Sequence, residues 1–228
     1  MKIVSILGSP NGLNGNTGQL LNHLLEEAGR AGAETKTYSL ADYSIQSCRG
    51  CFSCSKTGTC PIQDDFAQIK QALIEAEGII FASPNYMYHV SSQMKAFLDR
   101  SFSYLYHCRM LSGKYAVAVA SSGGPFAEMV ESYLLDILAK MGCWNVGSIG
   151  IALPQLADKT EKQNVLQEAA DMGRQLVAAI KEQPAFSDQE ITQREIHDTL
   201  KALMIIQKDA WPFEYDYWIK HWNLEDDQ

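Results

Sequence analysis

KIVSILGSPNGLNGNTGQLLNHLLEEAGRAG, residues 2–32, changes periodicity once, and that change sets the architecture. Lys2 to Gly8 form a short β-rich run ending in glycine, the pattern of a strand buried on both faces. A polar loop follows. Leu20, Leu21, Leu24 and Leu25 then recur on one helical stripe that stops at a glycine. A buried strand feeding an amphipathic helix is the repeating unit of a parallel sheet.

The unit recurs along the chain. ETKTYSL (34–40) reads as a second strand, and DDFAQIKQALIEAEG (64–78) as a helix whose first carboxylates, Asp64 and Asp65, suit a helix start. IIFASP (79–84) is a third strand and SSQMKAFLDRSFSYLY (91–106) a helix. KYAVAVASS (114–122) and WNVGSIGIA (144–152) are strands four and five, separated by the helix FAEMVESYLLDILAKMG (126–142). A long helix from about 159 to 181 closes the series. Five strands alternating with five helices predict an α/β, doubly wound, three-layer fold around a five-stranded parallel sheet. Ligands of such sheets sit outside the carboxyl ends of the strands at the switch point. The loops after strands one, three and four are therefore where chemistry is expected.

Composition narrows the class. A chain of 228 residues, 46% of them hydrophobic, can bury one sizeable core with an extension. The net charge of −8 argues against nucleic acid, whose phosphates are held by Lys and Arg. The apolar run at the N-terminus is far shorter than a signal peptide or a membrane span, so a cytoplasmic protein without a membrane partner is expected. In a reducing cytosol, clustered cysteines are expected as metal ligands or redox thiols.

The loop after strand one, GSPNGLNGNTGQ (8–19), sets Ser9, Pro10, Asn11, Asn14, Asn16 and Thr17 among four glycines, Gly15 included, with no Lys or Arg. It enters a helix whose free N–H groups and positive dipole end favour an anion. Neither the Gly-Lys-Ser/Thr of a P-loop nor the G-x-G-x-x-G of a dinucleotide site is present. A pocket for a compact phosphate monoester remains, beside the alternative of an ordinary Gly/Asn turn. In SPNYMYHVSSQ (83–93), Pro84, Asn85, Tyr86, Met87 and Tyr88 offer backbone donors beside broad aromatic faces, which suits a flat heteroaromatic ring. Ser83 stands where a phosphoacceptor receiver domain needs an acid, which removes that class. SSGGPF (121–126) brings Ser121, Ser122, Gly123 and Gly124, whose glycines let a ligand approach the backbone.

These motifs, together with Met94-Lys95-Ala96-Phe97-Leu98-Asp99-Arg100, resemble the NAD(P)H-dependent FMN reductase group of flavodoxin-like proteins. The resemblance spans roughly residues 1–180. It implies a sheet of order 2-1-3-4-5 and FMN, with the phosphate on residues 9–17 and the isoalloxazine against 84–88 and 121–124. NAD(P)H would be the electron donor, and a small molecule or a protein the acceptor. No side-chain acid, base or nucleophile is required, and no catalytic residue is named. The rival class is a flavodoxin-like one-electron carrier between protein partners.

CRGCFSCSKTGTCP (48–61) places Cys48, Cys51, Cys54 and Cys60 within one short loop. Two-residue gaps let a single loop wrap the corners of a cubic cluster, whereas zinc more often takes two separated Cys-x2-Cys pairs. The run resembles the motif of iron–sulfur flavoproteins, a branch of the same family that carries [4Fe–4S] at this place. Spacing establishes capacity and not occupancy. Free thiols or a disulfide pair, giving a reductase with redox-active thiols and no cluster, are the alternatives. Cys108 and Cys143 are expected as core residues, and His89 as a solvent-facing histidine in the ring loop.

Residues 1–183 are thus expected to form the FMN-binding domain, with the cysteine-rich loop at 47–64, and 184–228 a C-terminal helical extension. PFEYDYWIKHWN (212–223) packs five aromatics into twelve residues. So apolar a segment needs a buried contact. An interface within a homodimer or homotetramer is the first expectation, a lid over the ring loops the second, and packing on its own domain the remaining one.

Overall fold

The structure, a computed structural model, describes residues 1–224; the last four positions of the extension, 225–228, lie outside them. The elements in chain order are β1 (Lys2–Leu7), α1 (Asn16–Arg30), β2 (Glu34–Ser39), α2 (Ser53–Thr57) and α3 (Phe66–Glu75). There follow β3 (Gly78–Tyr86), β4 (His89–Val90), α4 (Ser92–Arg100), β5 (Tyr115–Ser122), α5 (Ala127–Lys140) and β6 (Trp144–Ala152). The last are α6 (Leu153–Ala157), α7 (Lys159–Glu182), α8 (Ser187–Ile206) and α9 (Pro212–Trp222).

The five long strands are parallel and lie in the order β2-β1-β3-β5-β6, the expected arrangement. A sixth strand corrects the expected count: the two residues of β4 turn back antiparallel on Asn85 and Tyr86. Its loop is Met87-Tyr88, both left-handed (φ 51° and 63°), the backbone of a two-residue hairpin turn usually supplied by Asn-Gly. Without that signal, the sequence shows only an irregular loop.

Alternation along the strands divides the core between two faces. Ile3, Leu7, Ile80, Val117 and Val119 pack with α1 and α7; Val4, Ile6, Ile79, Phe81 and Ala118 pack with α3, α4 and α5. Helices α1 and α7 touch so closely at Gly173 that a Cβ there would lie 2.2 Å from the Leu24 carbonyl oxygen. That oxygen belongs to a helix backbone and cannot yield. Gly173→Ala should therefore cost about 2 kcal/mol, as over-packing does. Thermal unfolding would show it as a fall of roughly 4–8 °C in a chain of this length, and an unchanged midpoint would mean the helices are not in contact there.

The helix expected to run to Tyr106 ends at Arg100, and residues Phe102–His107 continue as a π-helical turn. No residue in this stretch breaks a helix, so only tertiary packing shows the change. The wider turn buries Ser103, Tyr104, Leu105 and His107. It also presents carbonyls to the tail: Trp218 Nε1 donates to His107 O (2.9 Å) and Trp222 Nε1 to Cys108 O (3.2 Å). Trp218 is fully buried, in a small cluster with Leu200, Met204 and Leu224. The aromatic tail, first expected as a subunit interface, thus folds back on its own chain, where its indole N–H groups find partners. Among the described residues, no helix is long and apolar enough to cross a membrane.

Candidate functional site

Three loops meet at the carboxyl ends of β1, β3 and β5. Ser9, Asn11, Gly15, Asn16, Thr17, Pro84, Asn85, Tyr86, Ser121, Ser122 and Gly123 line one cavity of about 210 Å³, with Leu153 from the start of α6. Every lining residue is uncharged. Thr17, in the first turn of α1, is buried, and its Oγ1 lies 2.6 Å from Ser121 Oγ, joining the first loop to the third. Asn85 Nδ2 donates to Phe126 O (2.7 Å), joining the second loop to the third. Ser91 caps α4 by accepting the Met94 N–H (3.2 Å) and donates to Gly8 O (2.5 Å), which ties α4 to the end of β1.

Pro10, Met87, Tyr88 and Gly124 stand outside this cavity. Pro10 is exposed; Met87 is 93% exposed at the hairpin tip; the Tyr88 ring rests on Phe126 at 5.3 Å. His89 is exposed, as expected, with its ring 4.1 Å from Tyr133. Leu153, half exposed, is the residue that sequence reasoning missed. It follows β6 directly, as the first residue of α6 on the same side of the sheet, and no motif marks it in the sequence. The cavity fits FMN by its chemistry: neutral donors and a helix N-terminus for a phosphate, then an open rim of Tyr86 and Leu153 for a flat ring. Its volume holds one end of such a ligand and leaves the rest against the rim.

The cysteine loop forms a second site. Its stem is clamped. Asp64 Oδ2 accepts the Gln46 N–H (2.9 Å) and Asp65 Oδ2 the Ser44 N–H (2.8 Å). Arg100 Nη1 donates to Asp64 Oδ2 (2.6 Å) and to Gln46 O (3.0 Å), with both charged side chains 2% exposed. Burial pushes the Asp64 carboxyl up, but the Arg100 guanidinium and the Gln46 and Phe66 N–H groups outweigh it and hold the pKa below the usual range. This pair was also missed, because Asp64 in sequence resembles only a helix-start acid. It is that as well, accepting the Phe66 N–H at 3.2 Å.

Cys48 and Cys51 are exposed, Cys54 and Cys60 partly buried, and all four are free thiols. They line one cavity of about 460 Å³, larger than the first, together with Phe52, Phe102 and Tyr104. Burial raises the Cys54 thiol. The Gly50 N–H points at Cys48 Sγ (3.4 Å). Lys70 lies over the ring of Tyr104, a wall residue of the cysteine cavity, at 3.8 Å. Among the described residues, no three His, Cys, Asp or Glu side chains are gathered closely enough to hold a metal ion. In kind the donors fit an iron–sulfur cluster: four thiols on one cavity, an N–H on a sulfur, and cations nearby to offset thiolate charge. Cys108 and Cys143 are buried core residues, as expected. Burial pushes the Cys143 thiol up to about 12, so it stays protonated and inert.

A five-strand parallel order with a neutral, glycine-spaced pocket at its switch point defines a flavodoxin-like α/β protein. Residues 1–158 match the NADPH-dependent FMN reductase family, and the chain belongs to that family: it is an NAD(P)H-dependent flavin oxidoreductase with FMN as cofactor. It is 30% identical over 228 residues to an iron-sulfur flavoprotein of Archaeoglobus fulgidus, covering 96% of this chain and 97% of that one. An iron-sulfur flavoprotein of Methanocaldococcus jannaschii is 39% identical over 127 residues, covering 54% of this chain and 65% of the other. Among solved structures, the NAD(P)H:quinone oxidoreductase from Methanothermobacter marburgensis matches with a TM-score of 0.62 at 18% identity, over 76% of this chain and 98% of that one. At that identity the likeness speaks for the fold alone.

Proposed function

We propose that the cavity at the strand ends holds FMN with its phosphate within residues 9–17, on Ser9, Asn11, Gly15, Asn16 and Thr17, and its ring against 84–88 and 121–124. The observation that carries this is the meeting of three strand-end loops around one uncharged cavity at the N-terminus of α1. FMN bound there supplies the hydride and electron chemistry, accepting from NAD(P)H and passing to a second acceptor. The chain binds and orients. The first turn of α1 presents N–H groups to the anion, the Thr17–Ser121 bond fixes the first loop against the third, and Asn85 locks the ring loop onto Phe126. Tyr86 and Tyr88, 47% and 60% exposed, form an open aromatic rim at the ring seat, which leaves the outer isoalloxazine face free for a nicotinamide to stack on. With only uncharged residues on the cavity wall, no side chain is assigned a proton-transfer role.

We further read Cys48, Cys51, Cys54 and Cys60 as ligands of a [4Fe–4S] cluster, supported by their spacing, their common cavity and the names of the relatives. Such a cluster supplies one-electron transfer, with a small molecule or a protein as acceptor. The alternative is a reductase with redox-active thiols and no cluster, which the same four free cysteines on one cavity would also serve. A cytoplasmic homodimer or homotetramer, with residues 1–183 as the FMN domain and 184–228 as its extension, completes the proposal.

Anaerobic stopped-flow mixing with NADH or NADPH tests the enzyme reading. Rapid bleaching of the flavin absorbance is expected; reduction only by a protein donor would make this a carrier. Anaerobically purified protein should contain about four iron and four acid-labile sulfide per chain. Iron-free protein with a reducible disulfide would assign the loop to thiol chemistry.

A further inference from the structure

Phe52 stands between Cys51 and Cys54 with φ 55° and ψ 17°. A bulky residue holds this left-handed conformation only where its surroundings impose it, and such outliers gather at functional sites. Gly50, at φ 61°, turns the chain the same way on the other side of Cys51. The C-terminal arm is what holds Phe52. Its ring lies flat on Trp211 at 5.8 Å and 14°, and Phe102 closes its edge at 6.3 Å and 73°. Between Cys54 and Cys60 the arm touches the loop again: at Gly58, φ 72°, a Cβ would lie 2.5 Å from the Phe213 ring. Behind these contacts α9 is anchored by polar bonds, His107 Nδ1 to Glu214 Oε2 (2.7 Å) and the two indole bonds to His107 O and Cys108 O. Glu214 is fully buried, so this anchor is built into the core. Trp211 and Phe213 take no part in lining the flavin-side cavity.

We propose that α9 with the residue before it is the positioning element of the cysteine loop: Trp211 and Phe213 set the conformation that turns Cys51, Cys54 and Cys60 toward one cavity, and through it the loop's metal loading. The metal half rests on reading the four cysteines as cluster ligands; the ordering half rests on the contacts alone.

The test uses the full chain carrying Trp211→Ala, Phe213→Ala or the conservative Trp211→Phe, purified anaerobically. Three quantities are read: iodoacetamide alkylation of each thiol in the metal-free protein, iron with the spectrum of the reduced protein, and FMN affinity. The two alanine variants should raise Cys54 alkylation roughly tenfold or more, as a loop freed to open locally does. They should lose most of their iron while FMN affinity stays within about twofold, since the two cavities share no residue. Trp211→Phe should restore both thiol protection and iron. If Phe213→Ala fails to fold, Gly58→Ala presses on the same contact from the loop side and should give the same pattern. Unchanged alkylation in every variant would overturn the proposal, as would FMN affinity falling in step with iron. Wild-type protein free of iron, with alkylation still controlled by Trp211, would uphold the positioning role and remove only the cluster.

Discussion

Thr17→Glu lowers FMN affinity by about 10²–10³-fold, because two like charges about 4 Å apart near a protein surface repel by roughly 4 kcal/mol. The position makes the effect specific. Thr17 occupies the first turn of α1, where its hydroxyl meets Ser121 and the helix N–H groups are free. A carboxylate there occupies the seat proposed for the phosphate and takes up the same N–H groups. The helix dipole favours an acid at this end, while the buried position of Thr17 opposes a larger side chain, so the melting midpoint of the variant is read beside its affinity. Thr17→Val, which keeps the shape and removes the hydroxyl, should weaken binding by about tenfold, the worth of one hydrogen bond to a charged group. Fluorescence titration of apoprotein with FMN reads both. A Thr17→Glu protein that binds as tightly as wild type would place the phosphate elsewhere.

The second large effect is on stability. Removing one partner of the buried Asp64–Arg100 pair, by Asp64→Asn or Arg100→Met, should cost about 3–5 kcal/mol, because the remaining charge or polar group is left buried without its partner. Removing both should cost less than the sum of the single changes. The pH dependence follows from the depressed Asp64 pKa. A carboxylate whose folded pKa lies below its unfolded value of about 3.9 stabilises the fold fully only above that value. The contribution fades as pH falls through the folded pKa. The gap in melting temperature between wild type and Asp64→Asn should thus be wide at neutral pH and narrow in acid. A gap that stays constant into acid would mean the pair is not ionised. The clamp also joins Gln46 to Asp64, the two ends of the cysteine loop, so both variants should expose the loop thiols to alkylation.

The layered fold was legible because its information is local. Ile3 to Leu7 and the Leu20–Leu25 stripe declare their periods within a few residues, and four further repeats agree with them. The three strand-end loops could be placed for the same reason: topology sends their ends to one side of the sheet whatever their detail. What escaped depends on contacts distant in sequence. The Arg100 partner lies 36 residues away, and nothing near either residue marks the other. Met87-Tyr88 turns a hairpin with left-handed residues that lack the usual glycine signal. The π-helical turn at 102–107 keeps an ordinary helical composition, and only its packing against Trp218 and Trp222 explains the extra width. The aromatic tail was legible as apolar and needing a partner, but its surface was not: indole donors require carbonyls, and those appear only once the turn at His107 exists.

The claim on which the account turns is that the start of α1 grips the phosphate of FMN. Its most direct measurement compares FMN with riboflavin as ligands of the same apoprotein by equilibrium titration. Phosphate contributes two or more charge-assisted bonds worth roughly 1.5–3 kcal/mol each, so FMN should bind at least about 100-fold more tightly. Equal affinity for the two would show that the phosphate finds no seat at residues 9–17, and the assignment of this cavity would be wrong.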